Sequence, residues 1–301
     1  MYPEYEVKKK VNGGAVTRIV IWSVVLVLLT GVLLGALLLG GDGFIFGISL
    51  GGYVYEDADS YNVGNGESAD AITALDIDWV DGSVSIVPTD GDKITITEDY
   101  SGDKDELRLR WKVENGRLTV KYRKSGRFGL DKDNRGKALT IGVPRTVLEA
   151  VSKMDIDIVS ADLLVTGITV HDADVDMVSG DVMISGIFDK LDIDTVSGDI
   201  KLEGSAKNVD VDGTSATIEL FLTEIPATVD VDTVSGNVSI LLPDGTSGFE
   251  AIVDAVSGSV YVNDFENVTK TKDYCRFGDG SVKINMDAVS GDLKIGKVSA
   301  D

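Results

Sequence analysis

The chain is poor in the residues that build metal and disulfide sites. Its 301 residues include one cysteine, one histidine and 5 prolines. A single cysteine excludes an intramolecular disulfide and a cysteine-cluster zinc site, and a single histidine excludes HExxH-type metal sites. Basic residues are also scarce. The chain has 28 Lys and Arg compared with 50 Asp and Glu, which gives a formal net charge of −22. Nucleic acid is therefore not an expected partner, because phosphate binding requires a basic surface.

Residues 19–39 form a run of 21 residues without a charged side chain. About 20 apolar residues suffice for a helix to cross the hydrocarbon core of a bilayer. Lysines 8–10 and Arg18 precede the run and acidic residues follow it, so the positive-inside rule places the N-terminus in the cytoplasm. A cleaved signal peptide is the alternative, but the run is long for one and no Ala-x-Ala site follows.

The predicted organisation is that of a single-pass protein of the cell membrane with an extracellular C-terminal domain. Its segments are a cytoplasmic tail at 1–18, a transmembrane helix at 19–39, a linker at 40–74 and a repeat domain at 75–301. The linker prediction rests on the abundance of Gly, Ser, Asn and Asp in that segment.

One sequence cassette recurs eight times, most clearly in Leu191–Leu202, which reads LDIDTVSGDIKL. The copies centre on Gly82, Ala161, Gly180, Gly198, Ala216, Gly236, Gly258 and Gly291. From the second to the seventh copy, the centres lie 19, 18, 18, 20 and 22 residues apart. A fixed period near 20 residues is the signature of a solenoid.

The phase of the hydrophobic residues predicts the shape of each coil. Leu191 and Ile193 alternate with aspartates, and a second alternating row begins at Val196, one residue out of step. The phase slip indicates a corner, and the positions two and four residues after each centre are aliphatic in all eight copies. They would stack at ~4.8 Å per coil. We therefore predict an all-β, single-chain parallel β-solenoid, with right-handed coiling favoured.

A basic hairpin interrupts this regularity. Leu107–Val113 and Arg117–Arg123 flank Asn115-Gly116, a strong two-residue turn signal, and we interpret residues 93–143 as an insertion or an atypical capping coil. Residues 108–137 hold 11 basic and 3 acidic residues. The predicted outward basic residues are Arg108, Arg110, Lys112, Arg117, Lys121 and Arg123. They predict an anion-binding face for a teichoic-type polymer, lipid headgroups or an acidic neighbour, whereas the alternative is a solvated face that relieves negative charge.

Two columns of aspartates follow from the cassette. Four residues before each centre lie Asp78, Asp157, Asp176, Asp194, Asp212, Asp232, Asp254 and Asp287, and two residues earlier lie Asp76, Asp155, Asp174, Asp192, Asp210 and Asp230. Stacked carboxylates repel each other, so a divalent cation, with Ca²⁺ the best match to oxygen ligands, is one candidate occupant. Its predicted ligands are Asp176, Asp194, Asp212 and Asp232. The alternative is that these aspartates accept turn N–H groups while the ladder is solvated, and no other cofactor is expected.

The combination of motifs resembles the bacterial putative-adhesin domain-of-unknown-function family over residues 72–296. The resemblance rests on the membrane anchor, the opening LDIDWVDG at Leu75–Gly82, the Val-Ser-Gly-Asp repeats and the closing GDGSVKI at Gly278–Ile284. It implies a surface-exposed, β-solenoid-like domain with no catalytic residues to carry over. Some members of this family look like accessory proteins of cell-envelope stress systems, so the resemblance also makes such a role an expectation for this chain.

The carboxylates argue against an enzyme. Glycoside hydrolases use one pair of carboxylates in distinct roles, whereas here the carboxylates repeat in every coil and no pair stands out. We predict a non-catalytic, membrane-anchored, adhesin-like binding or scaffold protein at the cell surface. One alternative is an accessory or sensor protein of an envelope stress response that acts with another membrane protein. A second is a surface polymer formed by self-association.

Overall fold

A computed structural model describes residues 44–45, 48–49, 53, 55–126, 136–148 and 150–298. The predicted cytoplasmic tail and transmembrane helix lie outside these residues. No helix in the described part of the chain is long and apolar enough to cross a membrane.

The described residues are almost entirely β-structure. The strands are β1 (Phe44–Ile45), β2 (Ile48–Ser49), β3 (Asn62–Val63), β4 (Gly66–Ser68), β5 (Ala74–Thr89), β6 (Ile94–Asp99), β7 (Arg110–Glu114), β8 (Arg117–Lys121), β9 (Lys137–Pro144), β10 (Lys153–Ser179), β11 (Val182–Ser197), β12 (Ile200–Ser215), β13 (Ile218–Leu222), β14 (Thr228–Ser235), β15 (Val238–Leu242), β16 (Gly248–Ser257), β17 (Val260–Val262), β18 (Thr269–Lys270), β19 (Tyr274–Gly278), β20 (Val282–Ser290) and β21 (Leu293–Lys297). One short helix, α1 (Arg145–Leu148), and two 3-10 turns, at Ala58–Ser60 and Asp105–Leu107, complete the described elements.

The long strands wind into stacked parallel coils, as the repeat predicts. The first half of β10 pairs in parallel with β5, and its second half pairs in parallel with β11. β11 pairs in the same way with β12, which pairs with β13 and β14. The cassette centres lie at the corners, where the chain passes from one face to the next. The domain is therefore all-β and β-solenoid-like.

The aliphatic columns form the core. Of the sixteen positions that lie two and four residues after the cassette centres, all except the partly buried Val262 are buried. Their register is direct, for example Val182↔Ile200 and Ile184↔Leu202. The predicted stack is confirmed, because period-2 alternation on a parallel ladder sends the same side of every coil inward.

The order of the last coils departs from the order of the chain. β20 and β21 insert between β14–β15 and β16–β17, so Asp287 lies between Asp232 and Asp254. The intervening segment returns as β19, which pairs antiparallel with the outer edge of β16. Phe249, Phe265 and Phe277 pack together at this end.

The opposite end carries a cap that includes part of the predicted linker. β8 and β9 form one further coil against β5, and β7 and β6 pair antiparallel with them on the outside. Of the two interpretations of residues 93–143, the described residues of this range match the capping coil. β3 and β4 extend the cap, and the Tyr53 and Ile72 side chains are buried. The folded unit therefore begins earlier than residue 75, because these linker residues pair and pack with the cap.

The corner glycines are expected to tolerate no side chain. Gly198 has a φ of +131°, and a Cβ there would lie 1.8 Å from the carbonyl oxygen of Gly180. We expect Gly198→Ala to lower the free energy of unfolding by ~3 kcal/mol, because the left-handed backbone and the collision add. The control is Gly245→Ala, where a Cβ meets nothing within 4 Å. Equal urea midpoints for the two variants would contradict this role of the corner.

Candidate functional site

The parallel register assembles the aspartates into two columns on one outward face. The first column, in spatial order, is Asp78, Asp157, Asp176, Asp194, Asp212, Asp232, Asp287 and Asp254. The second runs beside it and is Asp76, Asp155, Asp174, Asp192, Asp210, Asp230 and then Asn285. We call this surface the acidic face. It is one face because residues two apart on a strand point to the same side of the sheet.

Several carboxyl groups in the middle of the acidic face hold protons more tightly than ordinary aspartates. Burial, a hydrogen bond with Asp78 and the neighbouring negative charges raise the pKa of Asp157 to about 8. Burial and the charges of neighbouring aspartates raise the pKa of Asp194 to about 7 and that of Asp212 to about 6. The pKa of Asp176 is raised by the same two causes. At neutral pH the face therefore carries less negative charge than its aspartates suggest.

The four predicted calcium ligands are brought into one column. Asp176, Asp194 and Asp212 occupy consecutive coils at the same register, and Asp232 occupies the next. Each coil contributes one carboxylate to the column, and neighbours are separated by the ~4.8 Å strand spacing. Across the described ranges, no three His, Cys, Asp or Glu side chains converge into a metal-binding group. Calcium binding by bridging along the column stays a prediction.

The hydrogen bonds to turn N–H groups come from a third column, immediately after the corners. Oδ1 of Asp162 accepts the N–H of Asp181 at 3.0 Å, and Oδ1 of Asp181 accepts the N–H of Asp199 at 2.9 Å. Asn237 and Asp292 continue the pattern at the C-terminal end. The sequence signal for this role is the aspartate of Val-Ser-Gly-Asp, which the sequence interpretation had not assigned to it.

Basic residues of the hairpin terminate the acidic face at the cap. β8 lies beside β5 with Lys121 opposite Asp78, and their side chains form an ion pair. Lys121 Nζ also lies 3.6 Å from Oδ1 of Asp76. Arg117 Nη1 lies 3.4 Å from Oδ2 of Asp76 and 3.1 Å from Oδ2 of Asp155. These two predicted anion-binding residues therefore contact carboxylates of the same chain.

Two other residues of the predicted basic face are buried, which corrects their outward assignment. The turn at residues 104–108 folds over Arg110, whose guanidinium donates to the carbonyl oxygens of Asp105, Arg108 and Leu109. Arg123 is covered by the segment that enters the cap, with its guanidinium 5.9 Å from the centre of the Tyr53 ring. The hairpin alternation itself is correct, since Arg110 lies opposite Lys121. The turn that precedes the hairpin buries Arg110, whereas a segment about 70 residues away in the chain covers Arg123.

Arg108 and Lys112 retain access to solvent. Arg108 Nε lies 3.5 Å from Oδ1 of Asp105, and its guanidinium stands 5.8 Å from the Tyr100 ring. Lys112 Nζ lies 2.8 Å from Oε2 of Glu114 and 4.9 Å from the centre of the Tyr61 ring. The six predicted basic residues thus divide into two at the surface, two paired with the acidic face and two buried.

We expect Arg110→Gln to destabilise the protein by ~2 kcal/mol, because buried carbonyl groups lose charge-assisted donors. Lys112→Gln is the control and should change the free energy of unfolding by less than ~1 kcal/mol, since its partner Glu114 is 62% exposed and no buried group depends on the pair. Urea denaturation of both variants measures the difference. An effect of Lys112→Gln as large as that of Arg110→Gln would contradict the burial argument.

The cap contains a buried ion pair that the sequence pattern did not predict. Lys137 Nζ lies 3.0 Å from Oε2 of Glu98, and each side chain is 1% exposed. Lys137 pairs with Gly82 and so occupies the corner position of the capping coil. The sequence signal for this pair is a lysine at a corner position that is Gly or Ala in the eight repeats.

Several solved bacterial structures are similar to this chain at low sequence identity. No curated protein sequence matches the chain. A structure from Bacteroides fragilis described as a putative adhesin is 15% identical, covering 77% of this chain and 97% of its own with a TM-score of 0.49. A putative adhesin from Parabacteroides distasonis is 15% identical over 78% and 98%, with a TM-score of 0.41. A structure described as a putative lipid binding protein from the same species is 13% identical over 79% and 98%, with a TM-score of 0.34.

The family assignment rests on the sequence profile. The profile of Toastrack DUF4097, a domain of unknown function, matches residues 72–206 and again 150–296. The two matches overlap within the repeats and together span nearly all of the described solenoid. The chain therefore belongs to the Toastrack DUF4097 family.

Proposed function

We propose that the protein is a single-pass cell-surface protein that acts by binding or scaffolding through its solenoid and not by catalysis. The observation that carries this proposal is the acidic face, which repeats one arrangement of side chains from coil to coil. A periodic, open surface suits contact with an extended partner, whereas catalysis requires one group distinguished from its neighbours by position and environment.

The terminal coil at each end of the solenoid is covered by antiparallel strands, which favours a binding function over end-to-end polymerisation. Antiparallel strands β6 and β7 cover the outer coil of the cap, and β19 covers β16 at the other end. Exposed sheet edges are the usual template for pairing with another chain. Covering them leaves the outward faces as the main surface for a partner.

The cap is the end of the solenoid nearest the predicted anchor. The 14 residue steps from position 39 to position 53 span at most ~50 Å when fully extended. Tyr53 is buried in the cap and accepts the N–H of Tyr122 at 3.0 Å. In this arrangement Arg108 and Lys112 lie on the membrane side, where anionic headgroups or envelope polymers attract exposed cations over ~8 Å at physiological ionic strength.

Two experiments on the full chain test the proposal. Protease added to intact cells is expected to remove the solenoid and leave a short membrane-bound stub. The detergent-solubilised protein, used as bait on envelope extracts, is expected to retain an envelope polymer. Capture of a membrane protein alone would favour the accessory or sensor function instead. A solenoid that resists protease on intact cells would overturn the surface location.

A further inference from the structure

The last corner of the stack differs from the inner corners in what covers it. At Gly198 and Gly236, the added Cβ would strike the carbonyl oxygen of the adjacent coil. The final corner, at Gly258, stacks on Gly291, and its other side is crossed by the returning chain at residues 272–273. The carbonyl of Asp273 accepts the N–H of Val253, and the carbonyl of Lys272 accepts the N–H of Val260. The returning chain therefore bonds to both strands that meet at this corner, to Val253 before it and to Val260 after it. The corner residues between these two bonds project beyond the returning chain.

A cavity of about 440 Å³ lies at this projecting corner. We call it the tip cavity. Its lining is Asn237, Val256, Ser257, Gly258, Ser259, Lys272, Ser290, Gly291 and Asp292. Three successive corners of the stack contribute, together with one residue of the returning chain. Only one lining side chain, that of Val256, is apolar.

The polar groups of the tip cavity include both donors and acceptors. Three serine hydroxyls can each donate and accept, Lys272 supplies an ammonium group, and Asp292 supplies a carboxylate. The two charges balance. An anionic ligand would meet the carboxylate, and an apolar ligand would leave these polar groups without partners. A neutral ligand with many hydroxyl groups matches the lining, because every hydroxyl can serve either role.

Two of the lining side chains are held in place before any ligand arrives. Oδ1 of Asp292 accepts the N–H of Ser259 at 3.0 Å, and the N–H of Asp292 donates to Oδ1 of Asn237 at 3.1 Å. These bonds join three coils across the cavity wall. Fixed side chains lower the ordering cost of binding.

The outward surface of the terminal coil also departs from the repeat. Ile252 stands where neighbouring coils carry Asn285 and Asp230, and Tyr261 stands where the adjacent coil carries Lys294. Ile252 is 48% exposed and Tyr261 is 45% exposed.

We propose that the tip cavity binds a neutral saccharide unit of a surface glycan. The inference rests on the proposed binding function and names its ligand class. The terminal coil lies eight coil steps from the cap, roughly 40 Å at the strand spacing. With the anchor at the cap, the tip cavity faces away from the membrane, where a glycan outside the cell is accessible.

The test uses the full chain in detergent micelles on an array of neutral and acidic oligosaccharides. Binding to at least one neutral oligosaccharide is expected. We expect at least a tenfold loss of affinity in Ser290→Trp, which places an indole ring in the cavity, and in Lys272→Ala, which removes a donor. Ser197→Trp is the matched control, because it occupies the same corner position in an inner coil and should bind as the unmodified chain does.

Binding to acidic glycans alone, or to none, overturns the inference, as does equal binding by Ser290→Trp and Ser197→Trp. Melting temperatures of the three variants show whether each is folded, and Lys272→Ala supplies the answer if Ser290→Trp does not fold. The envelope capture experiment separates the two proposals. If Ser290→Trp retains the partner as well as the unmodified chain does, the proposed binding function is supported and the tip cavity is not the binding site.

Discussion

Replacing Lys137 by Met should lower the free energy of unfolding by ~3–5 kcal/mol, the usual cost of leaving one charge of a buried pair without its partner. The ammonium group donates to the carboxylate of Glu98, to the carbonyl of Leu107 at 2.8 Å and to the carbonyl of Tyr122. It also stands 4.0 Å from the centre of the Tyr122 ring and 5.1 Å from that of Trp79. Burial lowers the pKa of Lys137 to about 8, although the charge of Glu98 opposes that shift.

The effect should be large because the pair connects several segments of the cap. Glu98, on β6, also accepts the N–H of Leu109 at 2.8 Å through its second carboxylate oxygen. Lys137 begins β9, and its acceptors lie in the turn before the hairpin and at the hairpin's end. Loss of the ammonium group therefore leaves a buried carboxylate and two carbonyl groups short of donors.

Lys93→Met provides the control, since it is the same substitution in a cap ion pair. Lys93 Nζ lies 3.2 Å from Oε2 of Glu67, but the side chains are 49% and 59% exposed. Exposed pairs contribute ~0–1 kcal/mol, so this variant should stay close to the original chain. The double variant Lys137→Met with Glu98→Gln should recover part of the loss. Urea denaturation that places Lys137→Met level with Lys93→Met would show that the buried pair does not hold the cap.

The acidic face should make the protein more stable at pH 5 than at pH 8, and we expect the melting temperature to differ by roughly 5 °C or more. In the folded chain, the pKa values of Asp157, Asp194 and Asp212 are raised to about 8, 7 and 6. Between the ordinary aspartate pKa of ~3.9 and these values, the folded state binds more protons than the unfolded state. The free energy of unfolding therefore falls as the pH rises through this window. Partial exposure of these side chains reduces the size of the effect through solvent screening.

Asp194→Asn isolates the contribution of one coil. The neighbours that face Asp194 on the acidic face are Asp176, Asp192 and Asp212, with Asp174 further away. Removing one charge from this set should raise the melting temperature at pH 8 and change it little at pH 5. An amide already occurs in the second column, where Asn285 donates to Oδ1 of Asp230 at 2.6 Å.

Asp90→Asn is the matched control outside the acidic face. Asp90 is 93% exposed and pairs with Arg145, so little change is expected at either pH. A higher melting temperature at pH 8 than at pH 5 in the unmodified chain would contradict the repulsion argument. The same scans with CaCl₂ test the predicted ligands Asp176, Asp194, Asp212 and Asp232. Calcium bridging predicts a chelator-reversible rise at pH 8, which Asp194→Asn diminishes.

The stacked core was predictable because its signal is local and repeated. Two phases of alternation meeting at Gly198 define two strands and a corner within twelve residues. Parallel pairing of similar cassettes then places equivalent residues of successive coils beside each other. The aspartate columns therefore follow from the cassette alone. The hairpin at Asn115-Gly116 was predictable for the same reason, since its two strands and turn are contiguous.

The sequence by itself determined the coil, its core positions and the existence of an acidic face. The tertiary structure decided which coils are neighbours at the C-terminal end, because β16 and β20 carry the same pattern and either could follow β14. It also decided the environment of each basic residue. Arg110 is buried by a preceding turn, Lys121 pairs with a coil 43 residues away in the chain, and Lys137 meets Glu98 across 39 residues. Burial and charge pairing depend on segments brought together only by folding, whereas strand alternation is set by each residue's immediate neighbours.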